Sequence, residues 1–514
     1  KWMKNLFLNL NTLQKNKIAF WAMTLGMFFS LISVQNVGAA YRHIQGGLSA
    51  GPDEVSWVLT SFLIAEVIML PLSGWLTRTI STRIFFFICS LGFAIASVLC
   101  GLAWSIESMI FFRVFQGFFG GGMMPAMFST MFTLYPTHKQ QIIAILVGVI
   151  ATLAAALGPH MGGWISEELG WRFIFIVNTP FSLLIGYVVL KFSNFDAKEP
   201  LWQKIDFIGI GLLACFLGSA LAILEEGRRA DWFESNLICT LSIICFFSFV
   251  SFIFRELKTK FPVVDLSIFL DRNFLICSIL VFTWGIIIFA SQYLLPVLIA
   301  RVREFDSITI ASMTYIMGAA QVLSGFLALV LFMFFKRRIV CFIGFSMLAL
   351  GTWMQGWMVS EIGLQEIILP QFIRGLSAQL CFLPMVLLAM GHLKTEKLKN
   401  ASGLYSLMNR LGAGIGIATA NSILENQITE EYLNLKNIVS NKIEHSSIFL
   451  NQMYNIIPKH LGNSPESISL GNQIIYSVSV QESTVIAFNQ VMLGMGILAL
   501  CIAPLALLLK GIQK

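Results

Sequence analysis

The sequence predicts an all-α protein embedded in a lipid bilayer, a bundle of fourteen transmembrane helices. Three observations carry this. Fourteen apolar runs of near-spanning length follow one another along the chain, and about 20 apolar residues cross a hydrocarbon core as a helix. Of the 514 residues, 57% are hydrophobic and only 12% charged, with mean hydropathy +0.78, against about 25% charged in soluble domains. The runs lack the period-2 alternation of a membrane barrel, which leaves helices as the spanning structure.

The runs lie near 18–40, 55–77, 84–103, 107–133, 141–165, 172–190, 206–224, 236–254, 274–299, 309–335, 339–358, 365–390, 401–424 and 487–509. Lys and Arg set the orientation. Lys15 and Lys17, Arg78 and Arg83, Lys336 to Arg338, and Lys394, Lys397 and Lys399 all fall on one side if the N-terminus is cytoplasmic. The positive-inside rule then places both termini in the cytoplasm. Residues 1–17 form a short cytoplasmic segment. About 62 residues, 425–486, form a long outer loop before the last run. Within it, Leu435, Val439, Ile443, Phe449, Met453 and Ile457 have the spacing of an amphipathic helix. A self-packed loop and a docking surface for a periplasmic partner both fit this pattern.

An internal repeat organises the runs. The fourth contains Arg113-Val114-Phe115-Gln116-Gly117 and the twelfth Gln371-Phe372-Ile373-Arg374-Gly375. Arg and Gln are exchanged between them, and Pro125 and Pro384 follow about two turns later. The arithmetic makes 18–190 and 274–509 two six-helix halves, with 206–254 an inserted helix pair. Paired halves around a midplane cavity are a transporter architecture.

Charge inside the membrane marks function more often than packing. Glu66 is the one acidic residue near the middle of a run, and buried carboxylates can exchange protons near neutral pH. It is the candidate ion-coupling group. Arg113, about 7 Å shallower on the fourth run at 1.5 Å per residue, is the expected partner if the two helices face each other and its long side chain bridges the difference. Arg374 and Arg410 are the other deep cations, placed to bind an anionic part of a substrate. Gln35, Asn36, Gln292, Gln321, Gln371, Gln379 and Asn409 are the polar candidates to line a cavity. Tyr293, Trp284, Tyr315 and Trp353 are candidates to stack on substrate. Three deep arginines against one acid favour an anionic substrate.

Leu157-Gly158-Pro159-His160-Met161-Gly162-Gly163-Trp164 closes the fifth run. Glycines let helices approach closely and a proline bends its helix. Gly170-Trp171-Arg172-Phe173-Ile174-Phe175-Ile176-Val177-Asn178-Thr179-Pro180 follows. Further on come Leu224-Glu225-Glu226-Gly227, Asp231-Trp232, and Val264-Asp265-Leu266-Ser267-Ile268-Phe269. These segments resemble the 14-span drug:proton antiporters of the major facilitator superfamily, and the long outer loop resembles its EmrB-type branch. The G-P-x-x-G-G element resembles that family's antiporter motif. Three departures matter, one of them that the final run carries no charge. The first run reads Leu31-Ile32-Ser33-Val34-Gln35-Asn36, without the acidic residue of the family's L-D-x-x-I-x-N pattern. The loop from Gly74 to Arg83 keeps a glycine and basic residues, Arg78 among them, but lacks the Asp and second Gly of the family's G-x-L-x-D-R-x-G-R element.

The resemblance implies a secondary exporter of small hydrophobic or amphipathic molecules in a bacterial inner membrane, coupled to protons. It implies a periplasmic adaptor and an outer-membrane channel as partners in a tripartite efflux system. The missing first-run acid keeps a second reading open: an exporter or facilitator of one anionic metabolite or siderophore, without proton coupling. A non-transporting scaffold or sensor on the same fold is the reading outside transport. No triad, HExxH or phosphate loop points to an enzyme. No cofactor or metal is expected, since the nine cysteines all fall in apolar runs and none forms a CxxC. The net charge of +7 is spread along the chain and does not mark a nucleic-acid surface.

Overall fold

The computed structural model describes residues 11–194, 206–259, 262–303, 307–441 and 465–510. Among these residues the regular structure is all helical. In chain order the helices are α1 Thr12–Ala39, α2 Tyr41–Gly47, α3 Pro52–Ile80, α4 Thr82–Gly101, α5 Ile106–Gly121, α6 Met123–Leu134 and α7 Thr137–Glu168. Then come α8 Arg172–Ile176, α9 Asn178–Phe192, α10 Phe207–Glu226, α11 Asn236–Lys258 and α12 Arg272–Arg303. The last five are α13 Ser307–Phe334, α14 Arg337–Gln355, α15 Leu364–Met390, α16 Thr395–Asn441 and α17 Pro465–Ile502.

Among the described residues, twelve helices are long and apolar enough to cross a membrane. Two of the fourteen expected runs fall outside that set for physical reasons. The run 107–133 divides at Gly122 into α5 and α6. Pro125 has no N–H to give the carbonyl of Gly121, and three consecutive glycines precede it. The run 401–424 lies in α16, where Ser402, Ser406, Asn409, Arg410, Gly412, Gly414 and Gly416 lower its hydropathy. Such a helix is suited to the bundle interior rather than to lipid.

Helix starts follow local chemistry. Pro52 opens α3, and Glu54 accepts the N–H of Gly51 at 2.9 Å. Glu366 does the same for Gly363 at the start of α15. Asp206 accepts from the N–H of Gly209 to cap α10, and its carboxylate holds Arg255 of α11 at 2.9 Å.

One start is strained. Ser81, between α3 and α4, sits at φ 82° and ψ 147°, a region costly for any residue with a Cβ. It is also where the family's loop pattern carries its second Gly. Ser81→Gly is expected to stabilise the protein by about 1 kcal/mol, the strain relieved outweighing the weaker cap. An unchanged or lowered thermal unfolding midpoint in detergent would contradict this.

Packing partners recur along the chain. In a first group, α1 packs on α7 and α9, α3 on α5, and α4 on α5 and α9. In a second, α12 packs on α16 and α17, α13 on α15, and α14 on α15 and α17. The groups meet along two seams, α3 against α16 and α7 against α13. Helices α10 and α11 pair with each other, and α10 also lies on α3 and α16.

The long outer loop is partly helix. α16 runs on to Asn441, and α17 starts at Pro465. Tyr432 and Tyr476 meet edge to face, and Gln490 donates to Glu431 at 2.9 Å, so the extended ends lie side by side. Of the amphipathic pattern, Leu435 and Val439 fall in α16; Ile443, Phe449, Met453 and Ile457 lie outside the described residues.

Candidate functional site

The site is built where α3 meets α16. Glu66 is 4% exposed. Its Oε1 accepts from Nη2 of Arg410 at 2.8 Å, and its Oε2 has no hydrogen-bond partner among the described residues. The two residues are 344 apart in sequence, one in each group. Removing one member of a buried pair typically costs about 3–5 kcal/mol, because the other charge is left unpaired. The carboxylate therefore bears strongly on how the two groups meet.

Glycines set the positions of both charges. A Cβ on Gly121 would lie 2.7 Å from the carbonyl oxygen of Glu66, and one on Gly117 2.2 Å from that of Phe62. The backbone of α3 thus rests directly on α5. On the other side, a Cβ on Gly412 would meet the carbonyl of Phe282 at 2.2 Å, and one on Gly416 that of Ile286 at 2.5 Å. α16 lies as close to α12, which fixes Arg410 two residues before Gly412.

The expected partner of Glu66 was Arg113; its partner here is Arg410. Arg113 is fully buried within the first group. Its Nε donates to the carbonyl of Val58 at 2.9 Å, Nη1 donates to Gln116 at 2.7 Å, and the guanidinium lies 4.2 Å from the ring of Phe62. Val58 is eight residues above Glu66, about 12 Å along the helix, so Arg113 is spent more than a turn short of the carboxylate. Arg374 is likewise buried in its own group, donating to Ser291 at 2.7 Å and to Gln355.

The other candidates divide. Gln379 spans the two groups, donating to the carbonyl of Gly148 at 3.0 Å. Nearby, Phe128 and Phe382 meet across the same interface at 6.4 Å, with Trp284 and Tyr405 around Phe382. Gln371 is buried with Oε1 unpartnered among the described residues. Gln321 is buried, Asn409 half-buried and Gln292 exposed. Gln35 packs over Gly158. With its amide nitrogen toward α7, Asn36 donates to the Gly158 carbonyl at 2.6 Å.

The G-P-x-x-G-G element packs α7 on α1. A Cβ on Gly162 would fall 2.5 Å from the carbonyl of Asn36, whereas Gly163 has open space around it. Pro159 is exposed and α7 continues through it. Gly162→Ala is expected to destabilise by about 1–3 kcal/mol through overpacking. Gly163→Ala is expected to stabilise by up to about 1 kcal/mol through helix propensity. Thermal unfolding of the two variants checks the contrast; equal shifts would contradict it.

The spacing is doubled in the chain. Leu157-Gly158-x-x-x-Gly162 in α7 has its match in Leu411-Gly412-x-x-x-Gly416 in α16. Sequence reasoning found the first and missed the second, although the Leu-Gly-x-x-x-Gly repeat was there to find it.

The α3–α16 seam closes at one end of the bundle, the end bearing Arg78, Arg83, Lys336 and Lys399, called here the basic end. A Cβ on Gly74 would lie 2.7 Å from the backbone of Asn400, and Lys399 donates to the carbonyl of Thr77 at 3.0 Å. Higher on the same seam, Gly403 meets the carbonyl of Leu70. On the other seam Gly325 meets Val149. Arg83 is exposed at the start of α4. A groove of about 500 Å³ lies between α10 and α11, lined by Leu212, Val250, Phe254, Arg255 and Lys258; neither Glu66 nor Arg410 lines it.

The sequence profile of the Major Facilitator Superfamily matches residues 23–417. The chain belongs to the Major Facilitator Superfamily. It is an EmrB-like member. It is 33% identical over 408 residues to the colistin resistance protein EmrB of Acinetobacter baumannii, covering 79% of this chain and 80% of that one. With the multidrug export protein EmrB of Escherichia coli it shares 29% identity over 422 residues, 82% of each chain. With the fatty acid resistance protein FarB of Neisseria gonorrhoeae it shares 27% over 500 residues, 96% of each. Among solved structures, the proton:xylose symporter XylE superposes with a TM-score of 0.59 at 13% identity, over 96% of this chain and 98% of that one. The human organic anion transporter MFSD10 superposes with 0.57 at 12% identity, over 94% and 99%. These two bear on the fold alone. The superfamily membership makes this chain a multi-pass membrane transporter and not an enzyme.

Proposed function

We propose that this superfamily member exports small hydrophobic or amphipathic molecules by proton antiport, with Glu66 as the proton carrier and Arg410 as its partner. The observation that carries the reading is the Glu66–Arg410 pair, which joins α3 to α16 across the two groups. In the proposed architecture α5–α6 and α16 also cross the bilayer, which makes fourteen spans. The two groups are six-helix halves and α10–α11 is an inserted pair. The recurring packing partners support this division. By the positive-inside rule the basic end, with both termini, faces the cytoplasm of a bacterial inner membrane.

The conformation with the basic end closed is then the outward-facing one. Ionised Glu66 holds Arg410 and keeps α3 on α16. A proton arriving from outside removes the charge, frees Arg410 and lets the basic end open. Losing about 3–5 kcal/mol approaches the ~5.5 kcal/mol that takes a two-state equilibrium from 1:99 to 99:1. Proton release to the cytoplasm, as substrate is taken up, restores the pair.

The relatives named for multidrug export, colistin resistance and fatty acid resistance support an amphipathic substrate class. The extended ends of α16 and α17 are the surface offered to a periplasmic adaptor, which would lead to an outer-membrane channel. The FarB likeness over 96% of both chains supports an anionic amphipath as substrate, which also fits the second reading, an exporter or facilitator of one such compound without proton coupling.

Efflux from proteoliposomes with and without an imposed pH gradient separates the two. Antiport predicts faster export against an inward proton gradient, for fatty acids and neutral dyes alike. Equal rates in both conditions would favour the facilitator.

A further inference from the structure

Helices α10 and α11 are tied to the seam helices at both ends of the bundle, α10 directly to α3 and α11 through a strap to α16. Away from the basic end, Glu226 accepts from the hydroxyls of Ser56 and Thr60 at 3.3 Å each and pairs with Arg229 at 3.1 Å. At the basic end, α11 carries Glu256, 6% exposed. Its Oε2 accepts the N–H of Val264, in the strap joining α11 to α12, at 3.3 Å. The next residue, Asp265, gives its carbonyl to Nδ2 of Asn400 at 3.1 Å. Asn400 is the residue whose backbone Gly74 meets. One short strap therefore links the inserted pair to the closed end of the α3–α16 seam.

Among the buried atoms in this region that lack a hydrogen-bond partner among the described residues are Nη2 of Arg78, Oε1 of Glu256 and Oδ1 of Asn400. Orphaned buried polar atoms are rare, and a buried charge without compensation is costly. The Nε of Arg78 is already spent on the carbonyl of Gly74. The acids whose charges act on Arg78 are Asp265 and Glu256. The other charges facing Glu256 are Asp206 and Arg255, which pair with each other at 2.9 Å. Counted from Gly74, Arg78 stands where the family's loop pattern has its Asp. A cation at that point needs an acid from elsewhere, and α11 brings a buried one.

We propose that Glu256, with Asp265 of the strap, is the acidic counterpart of Arg78, and that the α10–α11 pair thereby holds the basic end of the α3–α16 seam closed. Glu256 is a positioning residue and touches neither substrate nor the transported proton. Removing its charge leaves Asp265 as the one remaining acid of the pair acting on half-buried Arg78. That favours the state in which the seam opens and Arg78 reaches water. The proposal rests on the transport reading only in requiring that this seam open.

The test is a spin-label distance across the basic end, which needs no substrate and no proton gradient. His138 and Lys336, exposed there in the first and second groups, are changed to Cys and labelled. Cys215, Cys239, Cys245 and Cys501 are first replaced by Ala, and the protein is reconstituted in lipid nanodiscs. The parent should give a short-distance peak. Glu256→Gln and Arg78→Gln should each shift population to longer distances, the double variant should shift no further than either, and Glu256→Asp should stay near the parent. If Glu256→Gln does not fold, Arg78→Gln, at the more exposed partner, must open the end by itself. A parent-like distribution in the Gln variants, or independent effects that sum in the double variant, would overturn the proposal. Neither outcome touches the Glu66 reading, which a proton-flux assay decides.

Discussion

Arg410→Gln is expected to destabilise the protein by about 3 kcal/mol near neutral pH, since Glu66 is left as an uncompensated buried charge. The second carboxylate oxygen of Glu66 already lacks a partner among the described residues, so Arg410 is the carboxylate's one hydrogen-bond donor among them. Glu66→Gln in the same protein should recover most of that stability by removing the charge. It should not recover transport, because the carboxylate proposed as the proton carrier is gone. Thermal unfolding in detergent measures the stability cycle. Independent, additive losses for the two changes would mean that the 2.8 Å contact carries no coupling.

Gly412→Val should cost a further class of variants as much, by geometry rather than charge. The new Cβ would lie 2.2 Å from the carbonyl oxygen of Phe282 and 3.0 Å from its carbon. Both are backbone atoms and cannot rotate aside. α16 must move off α12, taking Arg410 from Glu66. Overpacking costs about 1–3 kcal/mol, and the upper part of that range is expected here. Gly414→Val is the control: its Cβ meets only the side-chain ends of Leu221 and Leu224, at 3.1 and 3.7 Å. Transport and unfolding midpoints together check this. Equal effects of the two valines would contradict the close-approach account.

The helices were legible because each apolar run is long and continuous, and helices occupy all fourteen runs in order. Their ends were less so. The extension of α16 to Asn441 is polar and carries no spanning signal, and the break at Gly122 needs three glycines and Pro125 read together. Glu66 and Arg410 were each legible as rare intramembrane charges. Their pairing was not, because it depends on which helices face one another across 344 residues of sequence. Depth along the helix pointed to Arg113 instead; depth says nothing of rotation, and the rotation of α5 turns Arg113 to Val58 and Gln116. The exchanged Arg and Gln of the repeat take on meaning in space. Gln116 reaches Ser33 and Ser97, on α1 and α4. Arg374 reaches Ser291 and Gln355, on the corresponding α12 and α14. The absent Asp of the loop after α3 was legible; that α11 holds a buried acid near the same place was not, because the two are far apart in sequence.

The most direct test of the central claim is substrate-induced proton movement in proteoliposomes, comparing the parent with Glu66→Gln over anionic, neutral and cationic compounds. The parent should move protons when substrate is added, and Glu66→Gln should not, while still binding substrate. Substrate transport without proton movement in the parent, or proton movement undiminished in Glu66→Gln, would contradict the account.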